Sequence, residues 1–125
     1  MNKYSNRKVV TFDGIAHDSK KEAKRWCELL LLQRGGVISN LERQVDFLLI
    51  PSQRETYERY GKNGQRLKDG VRTVEKECKY IADFVYIDTA TGKTVVEDTK
   101  GVKTEAYRIK KKLMLHVYGI KIKET

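Results

Sequence analysis

The apolar residues near the start of the chain first alternate and then take up a helical spacing. In the segment KVVTFDGIAHDS, strand-forming residues flank the pair Asp13-Gly14, which favours a tight turn, so the pattern predicts a short hairpin. A helix follows, with Ser19 as its N-cap and Glu22 completing a capping box. Its predicted buried face recurs at the spacing i, i+3, i+4, i+7 and consists of Ala23, Trp26, Cys27 and Leu30.

Strand patterns occupy the middle of the chain. Residues 41–50, LERQVDFLLI, are rich in strand formers and stop at the only proline. Residues 80–88, YIADFVYID, and residues 93–101, KTVVEDTKG, flank the turn-forming TATG, so they predict a second hairpin. Between these strands, residues 51–79 combine many charges with few apolar positions, which predicts a mobile basic loop over about residues 58–71.

A second amphipathic helix is predicted near the end of the chain, with Thr104 as its cap and Gly119 as its stop. Residues 120–125, IKIKET, then suit an edge strand. The order ββ-α-β-ββ-α-β predicts an α/β fold with a mixed central β-sheet flanked by helices, in a single domain spanning residues 1–125. The apolar stripe expected on the second helix consists of Ala106, Ile109, Leu113 and Val117.

Charge adds a class of partner to this outline. The chain has 26 lysines and arginines against 17 acids, a formal net charge of +9 that is spread along its length. Such a surface attracts polyanions, most commonly nucleic acid, although an excess of charge can also serve solubility alone. Two cysteines without a CxxC pair, no signal-peptide core and no apolar stretch of about 20 residues predict no disulfide framework, no membrane span and a cytoplasmic location.

Two aspartates lie inside the predicted second hairpin, where an unpaired carboxylate is costly to bury. Asp83 stands amid an apolar strand, and Asp98 stands on the strand that returns beside it. Two such acids repel each other unless a cation lies between them, and Mg²⁺ prefers carboxylate oxygens and water. Lys100 shares a strand face with Asp98, so it can hold an attacking water or stabilise charge on a phosphate. Glu97 is expected to face away, unless a bulge exchanges it with Asp98.

The order Asp83, then Asp98-Thr99-Lys100 on the next strand, resembles the signature of the PD-(D/E)xK nuclease superfamily. DSKKEAKRW at the start of the first helix resembles the small phage-encoded branch that is akin to Holliday junction resolvases, and the likeness covers about residues 8–120. One departure is that Ala82 stands where the family name has proline. The resemblance implies a restriction-endonuclease-like sheet and a Mg²⁺-dependent phosphodiesterase, with Mn²⁺ able to substitute.

The same resemblance implies roles for individual residues. Asp83 and Asp98 would bind the metal, with the Thr99 carbonyl as a third ligand and Glu22 reaching the metal directly or through water. Lys100 would orient the nucleophilic water. Capping explains Glu22 without any metal, and the two roles are compatible. Gln44 is expected in the same cleft, because nucleases of this kind often carry a glutamine there, but an ordinary amide at a strand edge is an equal alternative.

Neither His17, beside a turn, nor His116, within a helix, is expected to act in catalysis, and Trp26 is expected in the core.

Basic side chains beside the predicted site are the candidates for phosphate contact, with a merely solvated face as the alternative. The expected DNA contacts lie on and just before the second helix and in the basic loop: Lys103, Arg108, Lys110, Lys111, Lys112, Arg66, Lys68 and Arg72.

The function predicted from the sequence is a Mg²⁺-dependent DNA endonuclease that acts in phage recombination or DNA processing inside the host cell. No base-reading motif is present, which favours recognition of DNA shape, and the family likeness favours branched DNA and a homodimer. Three alternatives stay open: a nicking or site-specific duplex endonuclease, a non-catalytic nucleic-acid-binding protein on a degenerate nuclease fold, and an RNA-directed nuclease.

Overall fold

A computed structural model describes residues 8–99 and 102–125 of the chain. Its elements occur in the order ββ-α-β-β-β-β-β-α-β. The described residues therefore form a mixed α/β protein with two helices, as the sequence predicts, but they contain two more strands than expected. The elements are β1 Val9–Val10, β2 Ala16–His17, α1 Lys20–Arg34, β3 Ile38–Ile50, β4 Gln53–Tyr60, β5 Arg66–Glu75, β6 Cys78–Asp88, β7 Thr94–Asp98, α2 Glu105–Tyr118 and β8 Lys123–Glu124.

The central sheet has four strands in the order β3-β6-β7-β8. β6 pairs antiparallel with both β3 and β7, whereas β8 pairs with β7 in parallel, so the sheet is mixed. The predicted hairpin of β6 and β7 is confirmed, with Phe84 opposite Glu97, and the last segment forms the predicted edge strand. Neither α1 nor α2, the two helices of the described residues, is long and apolar enough to cross a membrane.

Both helices begin where the sequence places their caps. The Ser19 hydroxyl accepts a hydrogen bond from the Glu22 backbone N–H at 3.1 Å, and Thr104 does the same for Tyr107 at 3.1 Å. Gly119 ends α2 in the left-handed conformation, which a residue without Cβ adopts without strain. Local sequence signals therefore fixed the start of both helices and the end of α2.

The two helices cover opposite faces of the sheet. Val95 on β7 packs with the cluster beneath α1, and Val96, the next residue, packs with the cluster beneath α2. Since neighbouring residues of a strand point to opposite faces, the sheet lies between the helices. The cluster beneath α1 contains Trp26, which is only 7% exposed and thus a core residue as predicted.

The stripe predicted for α2 is out of phase with the observed packing. Ile109 and Val117 are 51% and 46% exposed, whereas Tyr107 and Met114 are buried. Tyr107 is drawn inward because its ring packs near Tyr80 and its hydroxyl donates a hydrogen bond to a carboxylate at the edge of the sheet. Because its hydroxyl has a hydrogen-bond partner, Tyr107 can be buried at little cost, which hydropathy alone did not indicate.

Strand β6 changes faces in its middle. Tyr80 packs in the cluster beneath α2, and Phe84 packs in the cluster beneath α1, although strict alternation would put both even-numbered residues on one face. The exchange must occur between these residues, where Asp83 lies. Gln44 on β3 lies opposite this point, because its neighbours Arg43 and Val45 pair with the neighbours of Asp83.

The loop expected over about residues 58–71 is mostly strand. β4 and β5 form an antiparallel hairpin, and only residues 61–65 of that stretch lie outside the two strands. Every residue of β4 is exposed, so the segment lacks the apolar alternation that would have revealed it. Its strands are held by cross-strand contacts instead, including the Tyr57 ring over Gly70, where an added Cβ would lie 2.3 Å from Tyr57 Cζ. We call this hairpin the arm; its mobility stays a prediction.

We expect truncation of the α1 core to be costly. Leu29 is 0% exposed, so Leu29→Ala should lower the free energy of unfolding by about 2–5 kcal/mol, because it leaves a cavity in close-packed surroundings. Leu31, on the same helix but 67% exposed, provides the matched control, and Leu31→Ala should change stability by less than about 0.5 kcal/mol. Urea denaturation followed by circular dichroism measures both; equal losses would contradict the assigned burial.

Candidate active site

Glu22 lies in the first turn of α1 with its side chain turned into the protein. It is only 4% exposed, and its Oε1 accepts a hydrogen bond from the side-chain amide of Gln44 at 3.1 Å. Burial raises the pKa of Glu22, and the carboxylates of Asp83 and Asp18 raise it further, against the opposing effects of Arg43 and the amide. Glu22 is thus a buried acid whose nearby charges include two further acids.

Gln44 reaches Glu22 because β3 is distorted at this position. Its backbone has a φ of +53°, in the left-handed region that a residue with a Cβ adopts only when its surroundings impose it. Leu41 packs beneath α1 and Phe47 beneath α2, although strict alternation would put both odd-numbered residues on one face, so β3 changes faces here as β6 does. The distortion aims the amide at the start of α1.

Asp83 is held in place by the end of β7. Its Oδ2 accepts hydrogen bonds from the Thr99 backbone N–H at 2.8 Å and from the Thr99 hydroxyl at 2.9 Å. Since Phe84 pairs with Glu97, the next position of the same register brings Asp83 opposite Asp98. Asp83 is half-buried and close enough to Glu22 to raise the pKa of that acid.

Asp98 is fully buried beneath α2. Its Oδ2 accepts a hydrogen bond from the Tyr80 hydroxyl at 2.6 Å. Burial raises the pKa of Tyr80, the contact with Asp98 raises it further, and Asp83 adds a smaller through-space effect. Asp83 therefore acts electrostatically on groups at both ends of the site, whereas Asp98 is anchored on the side of α2. An open cavity of about 380 Å³ borders this end and is lined in part by Tyr80, Tyr107 and Lys110.

Glu97 faces away from Asp98, as strand alternation predicts. It is 0% exposed and receives two hydrogen bonds from Arg25, from Nε at 2.9 Å and from Nη2 at 3.2 Å. Burial alone would lower the pKa of Arg25, but the hydrogen bonds to Glu97 and Glu28 outweigh it and raise that pKa. Glu97 thus has a structural partner, which the sequence did not reveal because Arg25 is 72 residues away.

His17 also lies beside Glu22, which the sequence did not indicate. It is 1% exposed, and its Nδ1 lies 3.9 Å from Glu22 Oε1. Its Nε2 lies 3.3 Å from Thr11 Oγ1 on the other side of the ring. The only local signal was a histidine five residues before the helix acid, directly after a turn.

The structure brings together four of the residues predicted for the site and leaves one undescribed. Hydrogen bonds join Gln44 to Glu22 and Thr99 to Asp83, and an electrostatic interaction links Glu22 with Asp83. The register of β6 and β7 brings Asp98 beside Asp83. Lys100 lies outside the described residues. Within the part of the chain that is described, no three His, Cys, Asp or Glu side chains converge closely enough to hold a metal ion.

Among the predicted DNA-contacting residues on and just before α2, some form salt bridges with Glu124 and others form none within the described residues. Lys103 and Lys111 both pair with Glu124, at 3.3 and 2.6 Å. These contacts lower the pKa of Glu124 to about 2, the Lys111 hydrogen bond being the largest cause. Arg108, Lys110 and Lys112 on α2 form no salt bridge within residues 8–99 and 102–125, so they are the cations best placed for an external anion: Arg108 and Lys112 line a cavity of about 480 Å³ with Lys111 and Lys121.

On the arm, the expected basic contacts are largely engaged. Arg66 pairs with Asp69 at 2.7 Å and lies over the Tyr60 ring. Arg72 pairs with Glu55 at 2.6 Å and lies over a second tyrosine ring. Both tyrosines of the arm therefore pack locally, and of the three predicted basic residues only Lys68 forms no salt bridge within the described chain.

A family model described as "Protein of unknown function (DUF1064)" matches residues 1–124. The chain belongs to the DUF1064 family. No curated protein matches this DUF1064 member, and no solved structure matches it.

We expect the Arg25–Glu97 pair to be a major source of stability. Arg25→Met leaves a carboxylate buried without its cation and should lower the free energy of unfolding by about 3–5 kcal/mol. The double variant Arg25→Met/Glu97→Gln should regain part of this loss, because the buried group no longer carries a charge. Arg66→Met breaks an exposed pair and should cost less than about 1 kcal/mol. Chemical denaturation of the three variants tests this; similar losses for Arg25→Met and Arg66→Met would contradict it.

Proposed function

We propose that the chain is a divalent-metal-dependent DNA endonuclease on a restriction-endonuclease-like fold, related to the PD-(D/E)xK nucleases. The observation that carries the proposal is the buried carboxylate of Glu22 close to Asp83, with Asp98 opposite Asp83 on the neighbouring strand. Acids are costly to place side by side in a protein interior unless a cation balances them. The buried carboxylate of Glu97 has such a partner in Arg25.

The oxygen donors at this site are of the chemical type that a hard divalent ion takes, although they do not converge on one point among the described residues. Mg²⁺ binds oxygen ligands, commonly one or two carboxylates together with water, and the raised pKa of Glu22 marks a place where added positive charge would be favourable. Asp83, Asp98, Glu22 and the Thr99 carbonyl would hold the ion. When bound, it would supply positive charge at a phosphate and lower the pKa of a water molecule.

The remaining roles belong to the protein's own side chains. Thr99 fixes the orientation of Asp83 by two hydrogen bonds, and Gln44 fixes the orientation of Glu22. Lys100 would orient the attacking water and stabilise the charge that develops on the phosphate. The face exchange of β3 and β6 occurs at Gln44 and Asp83 and would help to pre-organise these two side chains for catalysis.

Substrate binding would use charge more than shape-specific pockets. The net charge of +9 favours binding of a polyanion through its phosphates. So do Arg108, Lys110 and Lys112 on α2, which form no salt bridge within the described residues and follow the site closely in the sequence. Branched DNA is the proposed substrate, cut by a homodimer in the cytoplasm of a bacterial host; these finer points rest on the family resemblance alone.

One observation favours a different function. Because no three potential ligand side chains converge within the described residues, a non-catalytic nucleic-acid-binding protein on a degenerate nuclease fold is the second candidate. It would bind DNA with the same salt dependence but would not cut it.

The decisive measurement is cleavage of labelled junction, flap and linear DNA with and without Mg²⁺. Wild type should cut only with Mg²⁺ and prefer the junction. Asp83→Asn, Asp98→Ala and Lys100→Ala should each slow cleavage by about a hundredfold or more while DNA binding persists, since a ligand or charge-stabilising group is lost.

Asp88→Asn is the matched control, because it removes the aspartate at the last residue of β6, five positions from Asp83, and should cut like wild type. Cleavage by Asp98→Ala at the wild-type rate would remove Asp98 from the site. Binding without any Mg²⁺-dependent cutting by wild type would favour the non-catalytic alternative.

We also expect the cations of α2 to contribute unequally to DNA binding. Lys112→Ala should weaken binding to every sequence and reduce the slope of log K against log salt by about one, as loss of a single phosphate contact does. Lys111→Ala should reduce the slope less, since Lys111 is engaged with Glu124. Fluorescence anisotropy over a salt series measures both, with Lys24→Ala on α1 as the control; equal slopes for Lys112→Ala and Lys24→Ala would exclude the α2 face.

A further inference from the structure

A chain of polar contacts leads from the β1-β2 hairpin, where Asp13 is exposed, to the buried Glu22. The Trp26 indole N–H donates to Asp13 Oδ2 at 2.7 Å, and the Thr11 hydroxyl donates to Asp13 Oδ1. Thr11 Oγ1 in turn contacts His17 Nε2 at 3.3 Å, and the opposite ring nitrogen faces Glu22. The hairpin therefore does more than cover the core, because it positions an imidazole against the site.

The hydrogen bonds fix the tautomer of His17. Hydrogen bonds from Thr11, then from Trp26, lower the pKa of Asp13, so that carboxylate accepts and has no proton to give. The single hydroxyl proton of Thr11 is used on this carboxylate, and the Thr11 oxygen must accept from His17 Nε2–H. Nδ1 is buried without a hydrogen-bond acceptor among the described residues, so a proton on it would be left unpaired, and the neutral ring is the form that fits this geometry. A neutral imidazole has only one N–H, so Nδ1 carries a lone pair.

This lone pair is buried opposite a carboxylate. The His17 side chain is 0% exposed, its Nδ1 has no hydrogen-bond partner among the described residues, and it lies 3.9 Å from Glu22 Oε1. A distance of 3.9 Å is too long for a hydrogen bond. Two atoms that are each about 2.1 Å from one ion lie about 3.0–3.4 Å apart in octahedral or tetrahedral geometry, so a shift of roughly half an ångström would let Nδ1 and Oε1 share one divalent ion.

We propose that His17 Nδ1 and Glu22 together bind a divalent first-row transition-metal ion. An imidazole nitrogen in the ligand set favours such ions over Mg²⁺, and the Thr11 contact holds the ring as a partner to the non-ligating nitrogen does in metal sites. Asp83 and Asp18 both act electrostatically on Glu22, the effect of Asp83 being the larger, and water molecules would complete the coordination. The inference deepens the proposed function by naming the class of ion, and it rests on that function for the role of Glu22.

The test is pulsed electron paramagnetic resonance of the full chain loaded with Mn²⁺, which detects a directly bound ¹⁴N. The chain has two histidines, so the signal can be assigned. Wild type and His116→Gln should show the nitrogen coupling, and His17→Gln should lose it. Glutamine retains an amide near the position of Nε2 for Thr11 but has no atom at Nδ1. Calorimetry should show Mn²⁺ affinity about tenfold or more lower in His17→Gln and Mg²⁺ affinity unchanged.

The spectra of wild type and His116→Gln decide the matter even if His17→Gln does not fold. Mn²⁺ bound to wild type without nitrogen coupling, or a coupling that disappears in His116→Gln, would overturn the role of His17 and leave the carboxylate site standing. Absence of any Mn²⁺ or Mg²⁺ binding would overturn both this inference and the proposed function. Nitrogen coupling in a protein that does not cut DNA would support the metal site and reject the nuclease.

Discussion

The cost of burying carboxylates governs this structure. Glu97 and Asp98 are 0% exposed and Glu22 is 4% exposed, and an uncompensated charge at any of these positions would cost several kcal/mol. Glu97 is compensated by the guanidinium of Arg25 and Asp98 by at least the hydroxyl of Tyr80. Glu22 has an amide, an imidazole and further acids around it, and Arg43 acts on it only through space, so its charge is compensated least. Glu97, with its guanidinium partner, is therefore the acid that stabilises the fold, and Glu22 is the acid best suited to binding a cation.

Features governed by neighbouring residues were readable from the sequence. Ser19 and Thr104 cap their helices by hydrogen bonds to backbone groups three residues away, and Gly119 ends α2, so a short window contains all the information. The alternation of β6 and β7 also predicted that Glu97 and Asp98 face opposite sides of the sheet. The order of helices and central strands followed from the same local patterns.

Features governed by distant contacts were not readable. The arm consists of exposed strands whose stability depends on pairing with each other, so hydropathy gave no period to detect. The face exchange at Gln44 and Asp83 requires two strands to distort together, which neither strand shows alone. The same holds for the salt bridge of Arg25 with Glu97 and for the approach of His17 to Glu22, because each depends on how separate elements dock.

The arm follows directly from β3 and β6, the strand pair that contains Gln44 and Asp83. The register that pairs Ile50 with Cys78 also pairs Gln53 with Glu75, and one register shift lies on each side of this junction. An antiparallel strand pair resists stretching because its covalent backbone is already nearly fully extended, but it twists readily. The strands span roughly 50 Å between the tip of the arm and Gln44. Torque applied at the tip by any bound molecule would be delivered where the two strands exchange faces.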